Sequence, residues 1–358
     1  MKNIIKTAFV MLTSLSLFAS ANAGELSVTG TAKATYNILS GDGQNAGKGI
    51  GVANEFKLGA SGDIVDGYTW AYSIAMDPDN TAGGTTGEVQ NDDSSLTVTT
   101  PYGTVAVMSK VGGLDVEDAA SQSVYARPTD IGDPSATSDN YTIDSYNNLQ
   151  YHTAAGLLPY DVVFKVAYAT GLDATQNSSN AGGATSTKSA TSMGTSATEY
   201  QISGKPMDSL TIGASYIEFD GAGLTGTNDK QQPESGAAYV KYAEGPLSVG
   251  VSRALKAPLI NIAAVATAGT VEFYEQTNAS IAYLFANDQL SVSYEIEQSE
   301  TNKVSATDVE VKQKSSAIQG AYTMGGMTLA VSYGHHRNNG YVEGADADQA
   351  LFAVTMAF

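Results

Sequence analysis

Apolar and polar residues alternate one by one in short runs along the whole chain. In the clearest run, Tyr68, Trp70, Tyr72, Ile74 and Met76 oppose Thr69, Ala71, Ser73 and Ala75. The last run sets Ala350, Phe352, Val354, Met356 and Phe358 against Gln349, Leu351, Ala353, Thr355 and Ala357. A period of two places successive side chains on opposite faces of a β-strand. The length of the last run suits a membrane crossing, because a strand tilted by about 45° needs roughly 9–11 residues to span the hydrocarbon. Sixteen strands are predicted in this way, at 26–39, 50–62, 68–76, 95–100, 104–110, 147–153, 161–168, 198–204, 210–217, 236–243, 247–255, 276–285, 290–297, 311–323, 327–333 and 349–358.

The connections after even-numbered strands are short, as at Glu244-Gly245-Pro246 and Gly325-Gly326. Those after odd-numbered strands are mostly long and rich in Gly, Ser, Thr and Asn, as at 77–94 and 169–197. The expected fold is therefore all-β: a transmembrane antiparallel β-barrel of 16 strands, with short periplasmic turns and long extracellular loops. An even, closed count leaves no strand edge, which a bilayer forbids.

Charge placement agrees with a lipid-facing side, where a mid-membrane Lys or Arg costs about 2–4 kcal/mol. Lys33, Glu55, Lys57, Lys110, Lys165, Glu199, Lys241, Glu295 and Glu297 fall on the phase opposite the apolar residues. Arg253, Lys312 and Lys314 do not, but they lie near the extracellular ends of their strands, where lipid phosphates could attract them. Tyr68, Tyr168, Tyr216, Tyr242 and Tyr333 sit on the apolar phase near strand ends, as in an interfacial girdle. The inner face is thus polar, and a barrel of this size encloses water.

Residues 1–23 read as a signal peptide. Lys2 and Lys6 precede an apolar stretch that closes on Ala21-Asn22-Ala23, so the barrel domain is expected to occupy 24–358. That leaves 16 basic against 37 acidic residues, a net charge of −21, which disfavours nucleic acid as a partner. The chain has no cysteine and no run of 18 apolar residues. Only 15% of residues are charged, while Gly reaches 37 and Tyr 20. Such a composition suits a barrel with a wet interior.

Several of these features together resemble the general porins of Gram-negative outer membranes. They are the signal peptide, the strand count, the Thr100-Pro101-Tyr102-Gly103-Thr104 turn, the long insertion after the fifth strand, the segment Tyr146-Asn147-Asn148-Leu149-Gln150-Tyr151 and the final Phe358. The resemblance implies a trimer in the outer membrane, contacts with lipid and lipopolysaccharide, and Phe358 as a signal to the barrel assembly machinery. It further implies that the insertion 111–146 folds into the lumen as a constriction. Its Asp115, Glu117, Asp118, Arg127, Asp130 and Asp133, with Asp139, would face the pore wall, to which Lys33, Glu55, Lys57, Lys110, Lys165, Lys241, Glu295 and Glu297 belong. Such loop acids are set in the family against a basic wall cluster. Only Arg127, Arg253 and Arg337 are arginines here, so that cluster would have to be Lys33, Lys57 and Lys110. Acids outnumber bases, and a cation preference is expected.

The implied function is passive diffusion of small hydrophilic solutes and ions, with no catalysis, cofactor or metal. Two alternatives stand beside it: a substrate-selective outer-membrane channel, and a secreted β-rich adhesin or surface protein. The inner phase is mostly Ser, Thr, Ala and Gly, with Tyr239 as one exception, whereas a selective channel would present an aromatic slide. Asp77, Asp79, Thr81 and Glu88 match an EF-hand loop at a few positions, but Ala82 replaces its obligatory glycine. His335 and His336 are neighbours on an extended segment and point apart, which disfavours a two-His metal site. His152 falls on the inner phase, away from lipid, where it could not serve a membrane phospholipase.

Overall fold

The computed structural model describes residues 24–41, 47–77, 90–131, 139–170, 172, 193–221, 229–261, 269–285, 289–305 and 308–358. The signal-peptide segment 1–23, Asp133 and the core of the EF-hand-like run lie outside them.

Sixteen antiparallel strands close into one barrel, each paired with its neighbours in chain order. The first strand, Glu25–Gly41, pairs with both the second, Gly47–Val65, and the last, Ala347–Ala357. In order around the ring the others are Tyr68–Asp77, Gln90–Thr100, Gly103–Ser109, Asn148–Thr153, Val163–Thr170, Ser196–Met207, Leu210–Asp220, Glu234–Glu244, Leu247–Ala257, Val271–Leu284, Leu290–Lys303, Lys312–Met324 and Met327–Arg337. A short separate pair, Asp229–Gln231 with Ile260–Asn261, sits outside the ring order. Every predicted strand is present. Closure of the ring and its apolar exterior fit a membrane barrel and not a secreted adhesin.

Exposure follows the predicted phase. Val251, Ile281, Tyr294, Ile318, Tyr333 and Phe352 are exposed on the outer face, while the intervening Ser252, Ser280, Glu295, Ala317, Ser332 and Leu351 are buried inside. Strands formed because each alternate residue suits lipid, and the barrel closed because no ladder edge can be left in lipid. Arg253, Lys312 and Lys314 do face outward. Arg253 pairs with Glu275 at 2.7 Å and Lys312 with Glu300 at 2.8 Å. Both acids are on adjacent strands, so neighbouring carboxylates compensate these cations within the protein itself.

The seam closes at Gly30 and Phe358. The Gly30 amide donates to the Phe358 carbonyl at 2.8 Å, and the Phe358 amide returns a bond to the Gly30 carbonyl at 3.0 Å. A β-carbon on Gly30 would lie 2.5 Å from the Phe358 ring and 2.8 Å from the Glu55 carbonyl oxygen. Deletion of Phe358 removes both bonds, about 2 kcal/mol of seam. The expected result is a lower yield of folded barrel, with the conductance of those barrels that do form unchanged. Heat-modifiable gel migration checks the yield, and a wild-type level would count against a role in assembly.

Candidate functional site: a loop bound inside the barrel

The insertion after the fifth strand lies inside the barrel, and an unusual set of wall side chains holds it there. These are inward-facing positions on successive strands, so the ladder of the sheet becomes a ladder of anchors for the loop. Glu199 on the eighth strand accepts the amides of Leu114 at 3.2 Å and Ile143 at 2.9 Å. Ser215 accepts the Val116 amide, and Ser252 donates to the Glu117 carbonyl at 2.7 Å. Ser280 donates to the Ala120 carbonyl and accepts the Gln122 amide. Glu295 takes the hydroxyls of Ser121 and Ser123, both at 2.6 Å. Ser293 accepts the Val124 amide, Gln319 accepts the Tyr125 amide, and Glu297 accepts both the amide and the hydroxyl of Thr129.

Small wall residues let the loop approach closely. Ile131 packs with Ala317, Ala321, Ala330, Leu351 and Ala353. Val116 packs with Ala237 and Ala254. Three short 3-10 turns, Glu117–Ala120, Pro128–Asp130 and Ile143–Ser145, fold the loop locally. Pro128 opens the second, where a missing amide costs nothing.

Arg127 is the hub of the loop. Its side chain is only 10% exposed, yet five carboxylates surround it. Asp130 takes two bonds from the guanidinium, at 3.1 and 3.2 Å. Glu297 lies at 3.3 Å, Glu117 and Asp139 lie at 3.5 Å, and Asp118 is in direct contact. Burial opposes its charge, but Glu297, Asp130 and Asp118 outweigh that and hold the guanidinium above its ordinary pKa. With one cation among five acids, the cluster keeps net negative charge.

Burial, followed by the nearness of Asp115 and Asp118, pushes Glu117 up to about 9. Burial also pushes Asp118 up to about 7, against the pull of Arg127. Both groups therefore bind protons more tightly in the docked loop than when free. Docking is strongest below the ordinary carboxylate range and weakens as pH rises through 7 and then 9. Charge moves in the opposite sense, because ionisation of Asp118 makes the lumen more negative. Cation preference is thus expected to increase from pH 6 to 8, and current noise to increase from pH 8 to 10. In Glu117→Gln the alkaline rise in noise should vanish; reversal potentials and noise spectra at pH 6, 8 and 10 are the check, and flat profiles would refute it.

The remaining predicted residues divide into three groups. Asp115 braces the loop, accepting from Ser215, Asn140 and the Glu117 amide. Glu295 and Glu297 are inside the barrel as their phase required, but the loop lies over them. They are 0% and 9% exposed and act as anchors, not as open wall. On the uncovered wall, Lys57 and Glu55 pair at 3.2 Å, each about half exposed. Lys33 stands 5.9 Å from the ring of Tyr125, joining that wall to the loop. Lys110 is exposed just beyond the fifth strand. Lys165 is inward beside His152, and Lys241 shares the inward phase near the periplasmic end of its strand. His335 faces out to Asp348 at 2.7 Å, and His336 faces in to Ser315 at 2.9 Å.

The anchoring role of Ser215, Ser252, Ser280, Ser293 and Gln319 was not foreseen. Inner-phase hydroxyls and amides look the same in sequence whether water or a loop backbone is their partner.

Solved structures share this architecture. Salmonella typhi OmpF, in complex with daunomycin, is 14% identical, covers 94% of this chain and 98% of its own, and gives a TM-score of 0.67. OmpT, an outer membrane protein of Vibrio cholerae in its trimer form, is 13% identical over 94% of this chain and 100% of its own, with a TM-score of 0.58. A double mutant of the Rh. blastica porin is 14% identical over 93% and 100%, also with a TM-score of 0.58. No family model matches the sequence, and no curated protein matches it. The chain has the 16-stranded fold of the outer-membrane porins.

Proposed function

We propose that this chain is a general-diffusion porin of the Gram-negative outer membrane. Small hydrophilic solutes and ions cross it passively through the water left between the docked loop and the uncovered wall, and cations cross more readily. The observation that carries this reading is the loop itself. A barrel meant only as a scaffold would not dedicate inward side chains on six strands, the eighth, the ninth and the eleventh to fourteenth, to holding one segment across its lumen. The cation preference is supported by the imbalance at the loop, where Arg127 is set among Asp118, Asp130, Asp139 and Glu297, with Glu117 protonated near neutral pH and Lys256 only at the Asp139 edge. Lys33 and Lys57 on the opposite wall reduce the imbalance without reversing it, since Glu55 pairs with Lys57. No catalytic step belongs to this reading.

A homotrimer is part of the proposal. The exposed apolar outer positions Leu26, Val28, Ile50 and Val52, on strands otherwise rich in small residues, together with the outer face of the last strand, supply candidate contact surfaces. Outer-membrane lipid, lipopolysaccharide and the barrel assembly machinery complete the expected partners.

The test is a planar bilayer with a KCl gradient. Stepwise currents with a reversal potential on the K+ side are expected, with steps grouped in threes for a trimer. Chloride preference would overturn the selectivity, and the absence of any current would overturn the channel.

A further inference from the structure

Arg253, Lys312, Lys314 and Arg337 face outward near the extracellular rim of the barrel. Two of these cations are neutralised within the sheet, Arg253 by Glu275 and Lys312 by Glu300. The other two are not. Lys314 on the fourteenth strand stands directly across from Arg337 on the fifteenth. Both are exposed, and among the described residues neither has a carboxylate within 4.0 Å. Acids of the adjoining segments are committed elsewhere: Glu300 to Lys312, Asp348 to His335 and Tyr333, and Asp346 to the Asn338 amide. Like charges directly opposite in an antiparallel pair stand about 5 Å apart and destabilise it. An anion held by both turns that repulsion into attraction.

Arg337 is positioned for such an anion. Its Nε donates to Nε2 of His335 at 3.1 Å. The ring proton of His335 is then on Nδ1, which donates to Asp348 at 2.7 Å. The Tyr333 hydroxyl donates to the same carboxylate at 3.2 Å. This relay fixes the guanidinium through Nε and leaves its two terminal amino groups unengaged among the described residues. Asn338, at a φ of 52°, sends its side-chain amide to the Lys312 carbonyl at 2.9 Å. That bond ties the end of the fifteenth strand to the start of the fourteenth.

The place of the pair says what the anion is attached to. Toward the membrane, the outward rows below it are Ser316 with His335, Ile318 with Tyr333, and Gly320 with Val331. Phe352 of the sixteenth strand extends the last row. Ile318, Val331 and Phe352 are all exposed. Lys314 is four residues from Ile318, about 13 Å along the strand. The cations therefore stand at the level of lipid headgroups, and the apolar rows meet acyl chains. The chain as a whole is strongly acidic and repels free anions. A lipid is held at this level by its acyl chains and presents its phosphate against that field. Two adjacent cations suit the double charge of a phosphate monoester better than the single charge of a phosphodiester.

We propose that Lys314 and Arg337 form a clamp for the phosphate monoester of an outer-leaflet lipid, with its acyl chains along Ile318, Val331 and Phe352. Arg253 and Lys312 take no part, because their charge is already met by carboxylates. The inference rests on the outer-membrane placement of the barrel and not on the pore, since the clamp faces away from the lumen.

The experiment uses the full-length barrel folded in detergent, with heat-modifiable migration checked and KCl current recorded first. Both should be unchanged in every variant, so that a failed channel is distinguished from a failed clamp. Native mass spectrometry then counts the lipids retained per barrel. The probes are bisphosphorylated lipid A and phosphatidic acid, which carry a phosphate monoester, phosphatidylglycerol, which carries a diester, and inorganic phosphate. Lipid A and phosphatidic acid are expected to be retained more strongly than phosphatidylglycerol. A Lys314→Gln, Arg337→Gln double variant should bind both roughly tenfold more weakly, the size of two exposed charge-assisted contacts. An Arg253→Gln, Lys312→Gln double variant should stay close to wild type. Raising KCl tenfold should weaken retention by the unaltered protein, a reading that needs no variant. Undiminished retention in the first double variant, an equal loss in the second, retention indifferent to salt, or equal retention of phosphatidylglycerol would overturn the clamp. Displacement of the lipid by an equal concentration of inorganic phosphate would overturn its assignment to a lipid.

Discussion

Replacing Arg127 with methionine is expected to loosen the constriction and raise single-channel conductance, with a noisier open current and a stronger preference for K+. Among the described residues the guanidinium is the one cation within 4 Å of the carboxylates of Glu117, Asp118, Asp130, Asp139 and Glu297, with the Lys256 ammonium reaching only the Asp139 backbone carbonyl at the edge of the cluster. Removing one partner of a buried ion pair typically costs about 3–5 kcal/mol, because the other charge is left uncompensated. Three of the five acids are about half exposed, so water offsets part of that loss for them. Glu117 and Glu297 are buried, and they bear the rest. Two relaxations are open to the variant. The buried acids can take up protons, or the segment around Thr129 can leave the wall and ionise in water. Both respond to pH, so conductance in Arg127→Met should become steeply pH-dependent, rising toward alkaline pH. Arg127→Lys should restore part of the wild-type behaviour, as a point charge without the bidentate grip on Asp130. Wild-type conductance and noise in Arg127→Met across pH 5–9 would contradict the hub role.

The strands were legible because lipid imposes a rule on every second residue. They were legible only as far as the lipid extends. The twelfth strand was expected from 276 but starts at Val271, and the thirteenth was expected to stop at 297 but runs to Lys303. In both cases the missed residues carry Glu275, Gln298 and Glu300 on the outward phase, where the apolar signal ends. The strands continue there because cross-strand ion pairs, Arg253 with Glu275 and Lys312 with Glu300, stabilise the ladder above the hydrocarbon. The alternation therefore measured membrane thickness more than strand length.

The anchoring of the loop on the barrel wall was not legible in the sequence. Glu295 has the pattern of a lumen acid and is wholly covered; Glu55 has the same pattern and is open. What separates them is which strands the loop crosses, and this depends on contacts more than 150 residues apart, such as Ser121 with Glu295. Inner-phase alanine and serine gave one hint, since they are concentrated where the loop packs at Ala237, Ala254, Ala317 and Ala353.

Gly250→Val should displace the loop without touching a single charge. Gly250 faces inward on the eleventh strand, between Ser248 and Ser252, and the loop backbone passes directly over it. A β-carbon there would lie 1.9 Å from the Ala120 carbonyl oxygen and 3.1 Å from the Ala120 α-carbon. These are backbone atoms, so no side-chain rotation relieves the clash. The strand itself is held on both sides by full ladders to Lys241 and Ser280. The loop yields first, because at this point it is held by Ser280 to the Ala120 carbonyl at 2.9 Å, Ser280 to the Gln122 amide at 3.0 Å and Ser252 to the Glu117 carbonyl at 2.7 Å. Losing them costs about 1 kcal/mol each, roughly 3 kcal/mol of local docking. Gly320→Ala is the matched control, since its β-carbon would meet nothing nearer than 3.8 Å. Conductance in Gly250→Val should exceed wild type while heat-modifiable migration stays normal, and Gly320→Ala should match wild type in both. If Gly250→Val conducts like wild type at normal folded yield, the loop is not seated on the eleventh strand, and the constriction must be held elsewhere.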